Sequence, residues 1–410
     1  MCRAESQGTS GTTVAPRAAN PLTTDLRHFH PKAGAFVDLP AGEFAVVRRI
    51  APGIHGDVFE CRWLRGADLP GADGEGDRVA VKRLRLAAVG RPKSTEHDER
   101  KAHLKLGAGR APSLEDALTE IGVLQYLRNQ ADLPRFLLRL QGVFQDQCHA
   151  WVVTEFADGG ELFNEVAEKG PMCEVKAKRY MWELLQAVGY LHNHHIGHRD
   201  ISLENVLLKD GSVRLMDFGM AVRSETACGT KLRYFRAVGK DFYRAPECYV
   251  PRAEFVNVKM PAGTSPGSVI STAVQDAYVI DVLIPLPADA NDGFNAQVYG
   301  YEALPMDIFS AGVCLYMMLN GVPAWNQANL NDKRFEYAFK HGVVGLLKAM
   351  RLATPSSDVA TLMTGMLCTD PGQRWSSTNS LSCAWFAELA GQPVPLHLAE
   401  AWGPTPRSTL

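Results

Sequence analysis

The chain has 410 residues, of which 46% are hydrophobic and 21% are charged, and its 43 basic and 45 acidic residues give a net charge of −2. These values are ordinary for a globular protein, and the length allows more than one domain. A near-neutral balance gives no support for nucleic acid or an anionic membrane as a partner. The nine cysteines are scattered without a C-x-x-C pair, which fits neither a disulfide framework nor a zinc site. They indicate a reducing compartment, the cytoplasm or else the nucleus.

The first part of the chain predicts a tail followed by strands. Residues 1–41 are rich in Thr, Ala, Gly and Pro and predict a disordered tail. Three runs with strand character follow at 43–50, 56–63 and 78–84. Glycine-containing turns separate them, so they predict an antiparallel meander.

A helix is predicted over 113–128, because Ser113 can act as its N-cap and four apolar side chains recur on one helical face. Those side chains are Leu118, Ile121, Leu124 and Leu127. The segments 136–144 and 149–156 predict two more strands, and the chain becomes helical after the glycine pair at 159–160. A strand-rich part with one main helix therefore precedes a larger helical part.

Two segments of the second half differ in composition from their surroundings. The longest apolar run, 306–322, is short for a membrane span and contains Asp307, so it predicts a buried core helix and no span. Residues 251–304 are rich in Pro and Gly and lack Lys and Arg from 260 onward. They predict an exposed inserted loop with one hairpin around 278–284.

The stretch HRDISLENVLL (198–208) carries the pattern H-R-D-x-x-x-x-N between a predicted helix and a predicted strand. In this pattern the aspartate accepts the proton of a substrate hydroxyl, and the asparagine holds a divalent metal ion. Here these residues are Asp200 and Asn205. General-base assistance of this kind is worth roughly 10²–10⁴-fold in rate.

Two further motifs supply groups for binding a metal ion and phosphates. In DFG (217–219), Asp217 is predicted to chelate the Mg²⁺ that bridges the phosphates. In VAVK (79–82), Lys82 on the third strand is placed to hold the phosphates of a nucleotide. Glu120 on the following helix is the predicted partner of Lys82, with Glu115 as the alternative.

The loop IAPGIHGDV (50–58) matches G-x-G-x-x-G-x-V except that Ala51 replaces the first glycine. Gly53 and Gly56 remain, and such glycines let backbone N–H groups approach phosphates closely. The series of motifs ends with A-P-E in FYRAPE (242–247).

These motifs, in this order and on these elements, resemble those of the eukaryotic protein kinase family, of the serine/threonine type. GGELF (159–163) and LMTGML (362–367) are similar to its calmodulin-dependent-like branch. The resemblance covers 42–390 and implies an α+β fold with two lobes.

The implied boundaries divide the chain into two lobes and two tails. The N-lobe is 42–157, and the C-lobe is 158–390 with the insertion 251–304 inside it. The tails are 1–41 and 391–410.

The resemblance also implies a nucleotide site between the lobes, with ATP and Mg²⁺ as the cofactors. The hinge falls at Glu155, Phe156 and Ala157, and Thr154 takes the gatekeeper position beside it. The residues assigned to ATP are Gly53, Gly56, Val58, Ala80, Lys82, Thr154, Glu155, Ala157 and Leu207. Asn205 and Asp217 are assigned to the metal, and Asp200, Lys82, Glu120 and Lys240 to catalysis.

The sequence departs from the family pattern at two positions that are expected to touch. The family usually has a Lys two residues after the catalytic Asp, where this chain has Ser202. It usually has a Thr at the position of Lys240. The pair therefore keeps one hydroxyl and one ammonium group in exchanged places, which predicts that Lys240 supplies the positive charge near the transferred phosphoryl group.

The resemblance implies transfer of the γ-phosphoryl group to Ser or Thr of protein substrates. Glu161 and Glu204 match acidic positions that recognise basic residues upstream of the target. The alternative is a pseudokinase that acts as a nucleotide-binding scaffold, which Ser202 and Ala51 favour.

The residue before the catalytic aspartate is Arg199, which in the family signals control by phosphorylation of the segment that follows. Near the usual activating threonine the chain has Arg236. Four hydroxyl-bearing residues are available in that segment, none at the expected position: Ser224, Thr226, Thr230 and Tyr234.

Overall fold

The computed structural model describes most of the chain from residue 116 onward and shorter parts before it. The described residues are 28–31, 36–38, 44–52, 56–64, 77–86, 116–249, 255–258, 265, 267–274, 278–284 and 294–390. The α-helices within them are α1 Ala117–Arg128, α2 Leu162–Lys169, α3 Glu174–Asn193, α4 Ala303–Asn320, α5 Lys333–Ala349, α6 Ser357–Met366, α7 Ser377–Leu381 and α8 Ala387–Ala390.

The strands within the same residues form one large sheet and three smaller ones. Their bounds are β1 Val37–Asp38, β2 Phe44–Pro52, β3 Gly56–Trp63, β4 Asp77–Arg85, β5 Leu140–Gln145, β6 His149–Glu155, β7 Ile196–Gly197, β8 Val206–Lys209, β9 Ser212–Leu215, β10 Val222–Arg223, β11 Phe255–Val258, β12 Val269–Val274, β13 Tyr278–Leu283 and β14 Phe294–Val298.

The small lobe is the six-stranded sheet in the order β1-β5-β6-β4-β3-β2, together with α1. Every neighbouring pair is antiparallel except β1 and β5. The predicted meander is present as β2 to β4, so the α+β fold with two lobes is confirmed. Helix α1 begins at Ala117, with Asp116 in the N-cap position, and the predicted cap Ser113 lies outside the described residues.

The register of the sheet decides which side chains face the large lobe. Val58 lies opposite Lys82, and Ala80 lies opposite Thr154. Because side chains alternate along a strand, these four share one face of the sheet. The alternate residues of β4 lie in a separate buried cluster on the other face, whose members are Cys61, Trp63, Val79, Val81 and Val153.

A short N-terminal segment packs on α1, so the prediction of disorder for 1–41 is wrong for this part. Phe29 is buried, and a Cβ on Gly122 of α1 would collide with the Phe29 carbonyl. The Nε2 atom of His30 lies 2.5 Å from a carboxylate oxygen of Asp116. Sequence patterns do not predict this packing, because its contacts depend on a glycine that lies far along the chain.

The large lobe is helical, and α4 runs through its core against α3. By length and composition α4 could cross a bilayer, but 78% of it is buried inside the protein. This agrees with the predicted core helix. Phe309 of α4, which stands where the family usually has Trp, is fully buried, and its ring centre is 5.8 Å from that of Trp325.

Residues 255–298 contain a four-stranded antiparallel sheet in the order β11-β14-β13-β12, which we call the insertion sheet. The prediction of an exposed loop with one hairpin is therefore wrong. The hairpin is β12–β13, with Val274 opposite Tyr278. The other two strands, β11 and β14, were not predicted because they have only 4 and 5 residues and pair with each other across a long stretch of sequence.

A buried ion pair joins the end of the A-P-E element to the helical core. Arg374 donates from Nη1 and Nη2 to the two carboxylate oxygens of Glu247 at 2.5 and 2.9 Å. Both side chains are completely buried. The guanidinium also donates to the carbonyls of Pro305 and Cys368, so each of its three nitrogens is hydrogen-bonded.

Breaking this pair on one side should destabilise the protein strongly. Arg374→Met leaves the Glu247 carboxylate buried without its partner. We expect a loss of about 3–5 kcal/mol in the free energy of unfolding, measured by urea denaturation. The double change Glu247→Leu with Arg374→Met should lose clearly less, because no charge is then left buried. Equal losses in the single and double variants would contradict this account.

Candidate active site

The segment 198–205, the catalytic loop, is fixed through its backbone by a carboxylate of α4. Asp307 accepts hydrogen bonds from the backbone N–H groups of His198 at 2.8 Å and Arg199 at 2.7 Å. The ring of His192 lies 3.1 Å from the same carboxylate. These bonds hold Arg199 at φ 68°, a left-handed conformation that costs a non-glycine residue free energy.

Asp200 is held by the residues on both sides of it. The side-chain amide of Asn205 donates to the carbonyl of Asp200 at 2.7 Å and to its carboxylate at 2.8 Å. The backbone N–H of Asp200 donates to Nδ1 of His198, so Nε2 carries the ring proton and donates to the carbonyl of Met216. The Asp200 carboxylate therefore has a single defined position.

The surroundings of Asp200 make its carboxylate more basic than an exposed one. Burial raises the pKa of Asp200, and the nearby charge of Asp217 raises it further. Lys240 and the amide of Asn205 act in the opposite direction and lower it. The net pKa of Asp200 is above the ordinary value, which suits a group that must accept a proton.

The two exchanged residues lie in contact beside Asp200. The ammonium of Lys240 donates to the Ser202 hydroxyl at 2.9 Å and lies 3.3 Å from a carboxylate oxygen of Asp200. The backbone N–H of Lys240 donates to the other carboxylate oxygen at 3.2 Å. Ser202 is fully buried, whereas the Lys240 side chain is 37% exposed. One ammonium and one hydroxyl group thus face each other next to the predicted base.

The predicted pair of the small lobe is formed. The Lys82 ammonium lies 2.6 Å from a carboxylate oxygen of Glu120, and both side chains are mostly buried. The alternative partner, Glu115, lies outside the described residues. Helix α1 is also joined to the DFG motif, because the backbone N–H of Asp116 donates to the carbonyl of Gly219 at 3.0 Å.

Asp217 of the DFG motif is half-buried near Asp200, and Phe218 lies in the core. Asp217 has φ 64°, and one of its carboxylate oxygens accepts from the Gly219 N–H at 3.2 Å. Phe218 is fully buried, with its ring centre 5.3 Å from that of His198. It belongs to the large hydrophobic cluster that also contains apolar residues of α1, the helix that carries Glu120.

Asn205 and Asp217 offer the oxygen ligands that Mg²⁺ prefers. The amide nitrogen of Asn205 is committed to Asp200, so the amide oxygen is left for another partner. Asp217 contributes a carboxylate, and its charge is close enough to raise the pKa of Asp200. Within the described residues no group of three or more His, Cys, Asp or Glu could hold a metal by itself. Two oxygen ligands fit a magnesium ion that takes its remaining ligands from phosphates and water.

The residues assigned to the nucleotide come from both lobes. Val58, Ala80, Lys82 and Thr154 share one face of the sheet, and Leu207 is on β8 of the large lobe. Gly53 lies outside the described residues.

Gly56 lies at the start of β3, and a Cβ there would collide with the Arg83 carbonyl on β4. The structure therefore gives Gly56 a packing role within the sheet, which is separate from the predicted approach to phosphates.

The carboxylate of Glu155 in the hinge is held by hydrogen bonds from two other residues. One carboxylate oxygen of Glu155 accepts from the backbone N–H of Arg139 at 3.0 Å, and the other accepts from the Lys209 ammonium at 2.8 Å. The Glu155 side chain is thus occupied, and its backbone N–H donates to the carbonyl of Arg139 at 3.0 Å, which leaves the backbone of Phe156 and Ala157 as the part that can face a nucleotide base. Ala157 is half-buried.

A second acidic feature adjoins Lys240. Burial raises the pKa of Glu161, and the neighbouring charge of Glu204 raises it further, while Lys240 lowers it. Two carboxylates that repel each other in this way would gain from a cationic partner.

Comparisons with known proteins agree with this geometry. A family model described as protein kinase domain matches residues 75–257. CBL-interacting protein kinase 16 of Oryza sativa subsp. japonica is 27% identical over 282 residues, which cover 67% of this chain and 49% of that protein. Calcium-dependent protein kinase 29 of Arabidopsis thaliana is 26% identical over 71% of this chain and 44% of its own length.

A shorter match with a higher identity is to serine/threonine-protein kinase akt-1 of Caenorhabditis elegans. It is 41% identical over 131 residues, which cover 32% of this chain and 23% of that protein. The chain thus spans less than half the length of these relatives. The motifs, the two lobes and these matches agree: residues 75–257 match the protein kinase domain, and the relatives named here are protein kinases, with akt-1 a serine/threonine-protein kinase.

Proposed function

We propose that the protein is a kinase that transfers the γ-phosphoryl group of ATP, in the presence of Mg²⁺, to serine or threonine hydroxyls of protein substrates. The observation that carries this proposal is the contact of Lys240 with Ser202 and Asp200. The chain lacks the usual lysine two residues after Asp200, and the contact supplies an ammonium at the same place. This weakens the pseudokinase alternative, whose main support was Ser202.

The proposed reaction uses the groups in the cleft as follows. Asp200 accepts the proton of the substrate hydroxyl while the hydroxyl oxygen bonds to the γ-phosphorus. The bond from the γ-phosphorus to the bridging oxygen breaks, and ADP is released. Lys82, fixed by Glu120, holds the α- and β-phosphates, and Lys240 stabilises the negative charge on the group in transfer. Mg²⁺, when bound, neutralises phosphate charge, and Asn205 and Asp217 are the residues that would hold it.

Substrate preference and location complete the proposal. The adjoining carboxylates of Glu161 and Glu204 support a preference for a basic residue upstream of the target. All eight described cysteines are free thiols, which supports a reducing compartment, the cytoplasm or the nucleus.

Turnover with radiolabelled ATP, Mg²⁺ and a generic basic protein substrate tests the function directly. Lys82→Met and Asp217→Ala should nearly abolish phosphoryl transfer, and Asp200→Ala should lower it by roughly 10²–10⁴-fold. Asp358→Ala, which removes an exposed carboxylate of the large lobe, is the control and should leave the rate unchanged. Full activity of the Asp217 variant would remove the metal argument, and an inactive wild-type protein that still binds ATP would restore the pseudokinase.

The exchange of Ser202 and Lys240 is tested by a double-mutant cycle. Lys240→Thr leaves no ammonium beside Asp200 and should lower turnover by about 10²-fold. Ser202→Lys alone crowds two ammonium groups together and should also lower it. The double change rebuilds the usual family arrangement, so it should recover much of the rate and give a large coupling energy. Strictly additive losses would show that the two residues act independently.

The pH profile of turnover tests the charge on Asp200. The carboxylate must be deprotonated to act as a base, so turnover falls as the pH drops through its pKa. Lys240 lowers that pKa, and Lys240→Thr should therefore raise it and move the acid limb of the profile to higher pH. Lys340→Thr, which removes a surface lysine paired with Glu336, should leave the limb in place. An acid limb that does not move in the Lys240 variant would contradict this coupling.

A further inference from the structure

Four consecutive residues, 233–236, are held by the insertion sheet and by the residues that follow its last strand. They belong to the segment between Asp217 and Glu247, which we call the activation segment. In many kinases phosphorylation orders this segment by creating new pairs between arginine and a phosphorylated residue. Here the same stretch is fixed by contacts that need no phosphate.

Phe235 is buried in the core of the insertion sheet. Its side chain is 8% exposed. Among the residues that the structure describes, it shares a hydrophobic cluster with buried residues of that sheet and its immediate flank, namely Val256, Val258, Ile280, Val282, Ile284, Ala296 and Val298. Burial of the phenylalanine ring removes apolar surface from water, so the sheet and the activation segment stabilise each other.

Tyr234 and Tyr301 form a two-residue antiparallel pair beside this cluster. Each backbone N–H donates to the other's carbonyl, at 3.0 and 2.9 Å. The Tyr301 hydroxyl also donates to the carbonyl of Arg236, and the Tyr234 hydroxyl donates to the carbonyl of Arg223, both at 2.5 Å. A Cβ on Gly300 would collide with the Tyr234 carbonyl and the Phe235 ring, so the approach is close.

Arg233 adds charge contacts to those that hold residues 233–236. Its guanidinium lies 2.9 Å from Asp281 of β13 and 2.7 Å from Glu302, and it stacks over the Tyr299 ring with 4.3 Å to the ring centre. The side chains of Arg233 and Asp281 are 11% and 8% exposed. A nearly buried pair of this kind is costly to break from one side.

The tyrosine pair also covers Arg199 of the catalytic loop. The Arg199 guanidinium lies 4.8 Å from the ring centre of Tyr234 and 5.8 Å from that of Tyr301, and the residue is 3% exposed. Such distances are typical of cation–π contacts. The group that would otherwise pair with a phosphorylated residue is thus enclosed by two aromatic rings.

A few residues connect the held segment 233–236 to Asp200. Gly239, at φ 82°, lies against the catalytic loop, and a Cβ there would collide with the carbonyl of Arg199. The next residue, Lys240, bonds to Asp200 through its backbone and its side chain. Holding Arg236 therefore limits where Lys240 can lie.

We propose that the insertion sheet replaces activation-segment phosphorylation: by holding residues 233–236 it keeps Lys240 and Arg199 in place, and the enzyme turns over with that segment unphosphorylated. Phe235 and Tyr301 are positioning residues in this account, and the inference rests on the proposed kinase function.

The first experiment compares wild-type protein before and after treatment with a broad-specificity phosphatase. Mass spectrometry of the peptides between 217 and 247 reports their phosphate content. We expect turnover to be unchanged, within about twofold, when the activation segment carries no phosphate. A loss of turnover on treatment that returns on rephosphorylation of this segment would overturn the proposal.

The second experiment releases the segment by Phe235→Asp, which places a charge in the apolar cluster. The matched control is Val269→Asp, which puts the same charge on an exposed position of the same sheet, 38% exposed in the wild type. We expect Phe235→Asp to lower kcat by about 10–100-fold, because Lys240 is misplaced, with little change in KM for ATP. Phe235→Leu should retain most of the rate, and Val269→Asp should match the wild type.

Limited trypsin digestion separates this inference from the proposed function, because it needs no enzyme activity. Arg233 and Arg236 should be cleaved slowly in the wild type and in Val269→Asp, and quickly in Phe235→Asp. Rapid cleavage in the wild type would show that the insertion sheet does not hold residues 233–236, whatever the turnover. Slow cleavage in a wild-type protein without turnover would contradict the proposed kinase function but not the holding of these residues. Fast cleavage of Phe235→Asp with unchanged kcat would show that holding these residues does not serve catalysis.

Discussion

The carboxylate of Asp307 holds the catalytic loop, and the remaining site geometry depends on it. It accepts two consecutive backbone N–H groups, from His198 and Arg199, and so stabilises a left-handed residue at Arg199. A buried carboxylate needs such donors, and a strained backbone needs such an acceptor, so each offsets the cost of the other. Because Asp307 lies on the core helix α4, the position of Asp200 is set by the most deeply packed part of the large lobe.

Around this anchor the site is organised by charge rather than by residue type. Asp200 is buried near the carboxylate of Asp217, and an ammonium is needed to limit the repulsion between them. Lys240 reaches that place from the activation segment, and the hydroxyl of Ser202 accepts from it. The same chemical groups are therefore present although the chain positions that supply them differ from the usual pattern. Coulombic stabilisation depends on where the charge lies and not on which residue of the sequence carries it.

The insertion sheet is part of the same system. It contains a hydrophobic cluster that is completed by Phe235, a residue of the activation segment, and its last strand leads through Tyr301 directly into α4. The helix that carries Asp307 and the segment that carries Lys240 are thus joined on their far side by the tyrosine pair. This connects the two supports of Asp200, one from the core and one from the insertion.

The sequence by itself determined the two-lobed fold and the motifs and favoured Glu120 over Glu115 as the partner of Lys82, because these depend on local periodicity and on motif spacing. It also indicated that Ser202 and Lys240 would touch, since each carries the residue type expected at the other. Only the tertiary structure decided the contacts of Phe29 with Gly122, the four-stranded form of the insertion and the place of Phe235. These features join residues far apart in the chain, and a short strand or a single buried aromatic gives no periodic signal of the partner that it will find.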